Sequence, residues 1–166
     1  MLAELHRELG IPPDYGKAPP RPRFEEATGL IDVGPNLVGR PQKLTPRAAD
    51  RWQAMREAAA EEGIRLLLVS GFRSVEYQAA LIRRKLEAGQ RIEDILAVNA
   101  APGYSQHHTG EAIDIATPGF RPLTEEFERS PAFRWLGRRA GDFGFGLSYP
   151  PGNPEGFVYE PWHWAL

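Results

Sequence analysis

SQHHTGEAID, at residues 105–114, carries the strongest signal in this sequence. In it, two adjacent histidines precede a glycine and an aspartate follows that glycine. The chain has four histidines in all, and a third one stands in the C-terminal segment EPWH, at residues 160–163. Histidine and carboxylate side chains are the donors that transition metals take when thiolates are absent. The two segments together therefore indicate a metal site.

The residue types in these segments meet the requirements of a catalytic zinc ion. Such an ion takes three protein ligands and keeps a fourth position for water, and that water needs a base that is not itself a ligand. His107, Asp114 and His163 can be the ligands, with Glu160 as the base. At most one histidine of the adjacent pair is expected to bind, because His107 and His108 would point in opposite directions from an extended backbone. The sequence predicts one zinc ion (Zn²⁺) per chain.

Composition narrows the remaining possibilities. A length of 166 residues suits one domain. The chain has no cysteine, which excludes disulfides, a thiol nucleophile and a thiolate metal site. A net charge of -2 gives no electrostatic reason to expect nucleic acid as a partner. No apolar run is long enough to span a membrane. We also expect the protein to be a monomer.

The N-terminus shows no targeting signal. Its first residues, MLAELHREL, lack the basic start and apolar core of a signal peptide. The sequence as written therefore predicts a cytoplasmic protein, whereas a removed leader would make it periplasmic or extracellular. Five prolines between residues 12 and 22 favour an extended Pro-rich arm over residues 1–39 that packs on the core.

Hydrophobic periodicity and capping residues predict the remaining elements. Thr45-Pro46 and Ser74 are helix-start signals. Residues 111–115 alternate as a strand would, with Ala112 and Asp114 on one face. The predicted helices are 46–62, 75–88, 92–98 and 131–140, and the predicted strands are 64–69, 111–115, 143–149 and 157–163. Because strands and helices do not alternate regularly, we expect an α+β fold with a small, largely antiparallel sheet flanked by helices.

Three motifs resemble those of one peptidase family. Ser105-x-His107-x-x-Gly110-x-Ala112-x-Asp114 is similar to the signature of the VanY-type D-alanyl-D-alanine carboxypeptidases, zinc peptidases related in fold to the Hedgehog signalling domain. SGFRS at residues 70–74, followed by Gln78, and EPWH at residues 160–163 resemble two further motifs of that family, in the same order. The resemblance covers residues 40–166 and implies a zinc carboxypeptidase domain there.

The resemblance also implies roles for individual residues. It gives the three zinc ligands and the base already named. It implies that Arg73 lies in the active site, where its charge can stabilise an oxyanion and contact the substrate. Ser105 is similar to a substrate-binding serine of the family. Gln78 is expected either to orient Arg73 or to contact the substrate.

The function that follows is hydrolysis of the bond before a C-terminal D-alanine in peptidoglycan-type peptides or muropeptides. Specificity stays open among D,D-carboxypeptidase, L,D-carboxypeptidase and endopeptidase. A non-catalytic zinc-binding recognition module is a further alternative, which the presence of Glu160 and Arg73 disfavours. A serine triad of Ser105, His107 and Asp114 is also disfavoured, because the serine and histidine are two positions apart and there is no nucleophile elbow.

Overall fold

The computed structural model describes residues 1–166 and contains five α-helices and six β-strands. The helices are α1 (Leu2–Glu8), α2 (Pro46–Glu61), α3 (Val75–Glu87), α4 (Ile92–Val98) and α5 (Pro131–Arg139). The strands are β1 (Ile31–Pro35), β2 (Pro41–Leu44), β3 (Leu67–Ser70), β4 (Ala112–Ala116), β5 (Gly146–Leu147) and β6 (His163–Ala165). Short 3-10 helices cover Gln106–Thr109, Glu125–Arg129 and Ala140–Phe143.

One four-stranded antiparallel sheet, in the order β3-β4-β6-β5, forms the centre of the fold. Strand β4 lies in its middle and is buried along its whole length. The register places Asp114 opposite Ser70 of β3 and opposite His163 of β6. A second, two-stranded sheet pairs β1 with β2. The predicted α+β class with a small antiparallel sheet is confirmed.

The main core lies between this sheet and helices α2 and α5. Trp52 and Met55 of α2 pack in one buried cluster with Ile113 and Ile115 of β4. Ile113 and Ile115 thus face the core, as the alternation of residues 111–115 predicts, and Asp114 faces away from it. This division leaves one face of the central strand free for polar chemistry.

Capping side chains set the starts of the long helices. The Thr45 hydroxyl accepts a hydrogen bond from the Ala48 N–H at 3.2 Å, and the Ser74 hydroxyl accepts one from the Tyr77 N–H at 2.9 Å. These bonds satisfy backbone donors that a helix start leaves free. The predicted helices 46–62, 75–88, 92–98 and 131–140 are confirmed to within two residues at each end.

The strand predictions near the C-terminus are too long. Only Gly146–Leu147 and His163–Ala165 form strands there. Pro161 cannot donate a ladder hydrogen bond, and the Asn153 side chain binds both the carbonyl (2.7 Å) and the N–H (3.1 Å) of Phe157. Residues 157–162 therefore form a loop instead of a strand, held by the Asn153 side chain and by single backbone bonds such as the one from the Glu160 N–H to the Tyr149 carbonyl at 3.0 Å. The predicted strand at 64–69 likewise begins later, at Leu67.

The N-terminal segment is more structured than an extended arm. Helix α1 occupies residues 2–8, and the β1–β2 hairpin crosses the expected boundary at residue 39. The segment between them packs on the domain: Leu9 and Ile11 lie in a second buried cluster with Ile82 of α3. The Phe24 N–H donates to the Gly103 carbonyl at 2.8 Å. No helix of this structure has the length and hydropathy needed to cross a bilayer.

Gly110 links the 3-10 turn to β4, and it should tolerate no side chain. Its φ is +66°, and an added Cβ would lie 2.7 Å from the Leu30 side chain and 3.3 Å from the Thr45 backbone nitrogen. We expect Gly110→Ala to lower the free energy of unfolding by about 2–5 kcal/mol, through backbone strain plus overpacking. Gly89→Ala is the matched control, because Gly89 has a φ of +90° with no atom within 4 Å of an added Cβ. Chemical denaturation measures both, and equal losses would contradict the packing argument.

Candidate metal centre

Two histidines and one aspartate meet at the polar face of β4. The potential ligand atoms of His107, Asp114 and His163 all lie within 4.8 Å of one another, and all three side chains are buried. The Asp114 Oδ1 atom is 3.2 Å from His107 Nε2 and 3.2 Å from His163 Nδ1. Asp114 and His163 meet because of strand register, whereas His107 arrives from the 3-10 turn before β4.

The outer nitrogen of each ring is held by a hydrogen bond on the side away from the cluster. His107 Nδ1 is 2.7 Å from the Gly71 carbonyl oxygen, which requires that Nδ1 carries the proton and donates. His163 Nε2 is 2.7 Å from Gln106 Oε1 and donates to it. Such outer bonds fix the tautomer and orientation of metal-binding histidines. They leave the lone pairs of His107 Nε2 and His163 Nδ1 directed at Asp114.

The protonation states suit a cation. Burial, and after it the nearby Arg73 charge, lower the pKa of His107 to about 4. Burial works against ionisation of Asp114, but the neighbouring His107 and His163 hold the pKa of that carboxyl below its ordinary value. The cluster therefore offers an ionised carboxylate with two imidazole nitrogens facing it. This set of donors fits a zinc ion bound by nitrogen and oxygen.

Glu160 lies beside this trio without belonging to it. Its Oε2 atom is 3.6 Å from His163 Nδ1. The backbone N–H of His163 donates to the Glu160 carbonyl at 3.3 Å, so the chain turns through Pro161 and Trp162. This turn brings the side chains of Glu160 and His163 to the same side. Burial raises the pKa of Glu160 to about 7. A carboxyl with this pKa can both accept and return a proton near neutral pH.

Arg73 follows β3, and the histidine motif holds its backbone from both sides. The Arg73 N–H donates to the His107 carbonyl at 3.0 Å, and His108 Nδ1 donates to the Arg73 carbonyl at 2.7 Å. Arg73 Nη2 lies 3.8 Å from Asp114 Oδ2, and its buried Nε has no partner. His108 is thus a buried support for Arg73 that lies outside the metal cluster. Residues 106–109 form a 3-10 turn instead of the expected extended backbone, but the two adjacent rings still diverge.

Ser105 and Gln78 line a cavity of about 40 Å³ next to Arg73, Glu160 and His163. The Ser105 hydroxyl accepts a hydrogen bond from the His107 N–H at 3.2 Å. Gln78 Nε2 donates to the Ala100 carbonyl at 2.8 Å, while its Oε1 is buried with no partner. Gln78 therefore makes no hydrogen bond to Arg73, and its free acceptor favours a contact with the substrate.

A serine triad is not assembled by this geometry. The Ser105 hydroxyl bonds the backbone of His107 and not its ring. Both nitrogens of that ring are engaged elsewhere, with the Gly71 carbonyl and with Asp114. A general base for Ser105 is therefore missing, as the sequence analysis expected.

Three residues that surround His163 are not among the predicted site residues. Gln106 Oε1 contacts its ring, the Ser148 hydroxyl donates to the same Gln106 oxygen at 2.7 Å, and the Tyr149 ring centroid lies 4.7 Å from that of His163. Gln106 is adjacent to His107 in the motif, but it is 57 positions from His163. No local pattern in the sequence connects residues that are so far apart.

Residues 41–166 match the family model described as VanY, D-alanyl-D-alanine carboxypeptidase. A sheet and an adjoining turn that together present two histidines and an aspartate, with a carboxylate beside them, are compatible with the zinc peptidase class. The chain belongs to the VanY D-alanyl-D-alanine carboxypeptidase family.

Individual relatives agree with this assignment. YodJ of Bacillus subtilis, which is named as a carboxypeptidase, is 34% identical over 173 residues, covering 98% of this chain and 58% of YodJ. The chain thus spans less than two thirds of that relative. The LdcB LD-carboxypeptidase has a TM-score of 0.74 at 31% identity, over 87% of this chain and 70% of LdcB.

Two structures of VanY from the VanB-type resistance system are also similar. One is a D,D-pentapeptidase variant in complex with Zn(II), and the match covers 88% of this chain and 82% of the chain in that structure. The other is in complex with D-alanine-D-alanine and covers 88% and 81%. Each has a TM-score of 0.66 at 26% identity.

We propose that His107, Asp114 and His163 are the zinc ligands, and metal analysis can test this. His107→Ala should lose zinc, because removal of one ligand leaves two donors for an ion that needs three from the protein. His108→Ala is the matched control: it removes the neighbouring buried ring but leaves the trio intact, so it should keep near-stoichiometric zinc. Zinc retained in His107→Ala and lost in His108→Ala would contradict the assignment.

Proposed function

We propose that this chain is a zinc-dependent carboxypeptidase that removes the terminal residue from peptidoglycan-type peptides ending in D-Ala-D-Ala. The observation that carries the proposal is the position of Glu160, whose Oε2 is 3.6 Å from His163 Nδ1 but which stands outside the ligand trio. A recognition module would need the metal ligands but no such base. We also propose that the chain works as a monomer.

The residues of the chain divide the chemistry among them. His107, Asp114 and His163 would hold the zinc, which when bound lowers the pKa of water towards neutrality and polarises a carbonyl. The Glu160 carboxylate takes a proton from the attacking water and passes it to the leaving amine. The Arg73 guanidinium, held 3.8 Å from Asp114, offers its positive charge to the oxyanion that develops on the scissile carbonyl.

Two side chains that line the small cavity have hydrogen-bonding groups left for a substrate. The unpaired Gln78 Oε1 can accept an N–H of the substrate, and the Ser105 hydroxyl, which accepts one bond from the backbone, still has its own proton to donate. We assign both residues to substrate binding on these grounds.

A second candidate is an L,D-carboxypeptidase, which removes a single D-alanine that follows an L-residue. The similarity to LdcB favours it, because that structure has the higher TM-score and identity of those described above. Both reactions would use the same base and the same ligands, so the difference must lie in how the residue before the scissile bond is held.

Muropeptides with defined ends test the function and separate the candidates. The zinc-loaded chain is incubated with a pentapeptide ending in D-Ala-D-Ala and with a tetrapeptide ending in a single D-alanine, and the products are weighed by mass spectrometry. Loss of one alanine from the pentapeptide supports the D,D activity, and loss from the tetrapeptide supports the L,D activity. Internal cleavage would indicate an endopeptidase. Absence of any product would refute the proposal.

The same assay tests the base. Glu160→Gln should keep its zinc but lose turnover by about two to four orders of magnitude, because an amide cannot accept the proton from water. Zinc content measured on the same sample is the control. If this variant loses its zinc, Glu160 is a ligand; if it turns over normally, another group is the base.

Arg73 should act mainly in the transition state. Arg73→Ala is expected to lower kcat by about a hundredfold with little change in KM, as removal of one oxyanion donor does. Arg73→Lys should recover part of the loss, since a point charge does not reproduce a planar guanidinium. Arg84→Ala, on the exposed face of α3, is the matched control and should leave both constants unchanged. An increase in KM alone would mean that Arg73 binds the substrate carboxylate instead.

A further inference from the structure

We infer that Gln106 is a positioning residue that determines which ring nitrogen of His163 is available to the metal. The inference rests on the proposed ligand role of His163. His163 Nε2 lies 2.7 Å from Gln106 Oε1, and on the opposite side of the ring Nδ1 lies 3.2 Å from Asp114 Oδ1. The ring is thus held between a support on one side and the cluster on the other.

The Gln106 amide oxygen faces the His163 ring and also has a second partner. The Ser148 hydroxyl is 2.7 Å from the same Oε1, and the backbone N–H of Ser148 donates to the His163 carbonyl at 3.4 Å. With the amide oxygen towards the ring, Nε2 must carry the proton and Nδ1 keeps its lone pair. A rotated amide would present an NH₂ group to Nε2, and the ring proton would then occupy Nδ1, where the metal must bind.

Gln106 lies in the same short turn as one proposed ligand and contacts the other with its side chain. Gln106 precedes His107, and the Thr109 hydroxyl donates to the Gln106 carbonyl at 2.6 Å within the same turn. The turn therefore supplies one ligand directly and supports the other through the Gln106 side chain. A shift of this turn would disturb both histidines at once.

Zinc affinity and the ring proton of His163 test this role without any substrate. Gln106→Met keeps a similar length but removes the acceptor, and Gln106→Glu restores an acceptor. Gln106→Met should weaken zinc binding by about tenfold to a hundredfold in competition with a chromophoric chelator, as loss of an outer partner does. In the NMR spectrum of the zinc-loaded protein, the His163 Nε2–H signal should be lost to solvent exchange.

The companion variants separate positioning from shape. Gln106→Glu should bind zinc nearly as well as the unaltered chain and keep the Nε2–H signal. Gln53→Met makes the same change at an exposed position of α2 and should alter neither measurement. If Gln106→Met fails to fold, Gln106→Asn, which is one methylene too short to reach the ring, should show the same weakening.

Two results would overturn the inference. One is a zinc affinity of Gln106→Met, or of Gln106→Asn in its place, that falls by less than about tenfold. The other is a Gln106→Glu variant that binds zinc as weakly as Gln106→Met, because the acceptor would then be irrelevant. A chain that binds zinc as expected but hydrolyses no muropeptide would refute the proposed function and leave the role of Gln106 standing.

Discussion

The pairing of β4 with β6 is the interaction on which the rest of the site depends. It sets Asp114 opposite His163, two residues that are far apart in the sequence, and the same strand pairs with β3 on its other edge. Strand pairing has a period of two residues, so a shift of one position would turn the Asp114 carboxylate into the apolar core. Ile113 and Ile115, which are fully buried on the opposite face, resist that shift.

A buried carboxylate needs partners, and the fold provides them in layers. An unpaired charge in the interior costs several kcal/mol, and Asp114 is surrounded by His107, His163 and Arg73. Around these lies a second layer made largely of backbone groups: the Gly71 carbonyl binds His107, and the Arg73 carbonyl binds His108. The histidine motif and the SGFRS segment thus hold each other in place, which explains why both are needed for one site.

Local signals predicted much of the fold because their causes are local. Thr45 and Ser74 cap helices within three residues of themselves, and the alternation in residues 111–115 reflects a strand with one apolar face. The strand expected at 157–163 failed for a different reason. Its loop is held by Asn153 through contacts that no periodicity reveals. The N-terminal prolines likewise favoured an extended arm, whereas residues 2–8 form a helix that Leu5 and Leu9 anchor on the domain.

The sequence by itself determined the kinds of donor at the site, the family, and the residues that could form the cluster, because these depend on side-chain chemistry and on motif spacing. Tertiary structure alone decided that His107 presents Nε2 and His163 presents Nδ1 to the cluster, that His108 supports Arg73, and that Glu160 stays outside the trio. These features depend on hydrogen bonds between segments that are far apart in the chain. Only the folded register of β4, together with the turns at 106–109 and 160–162, brings those segments within bonding distance.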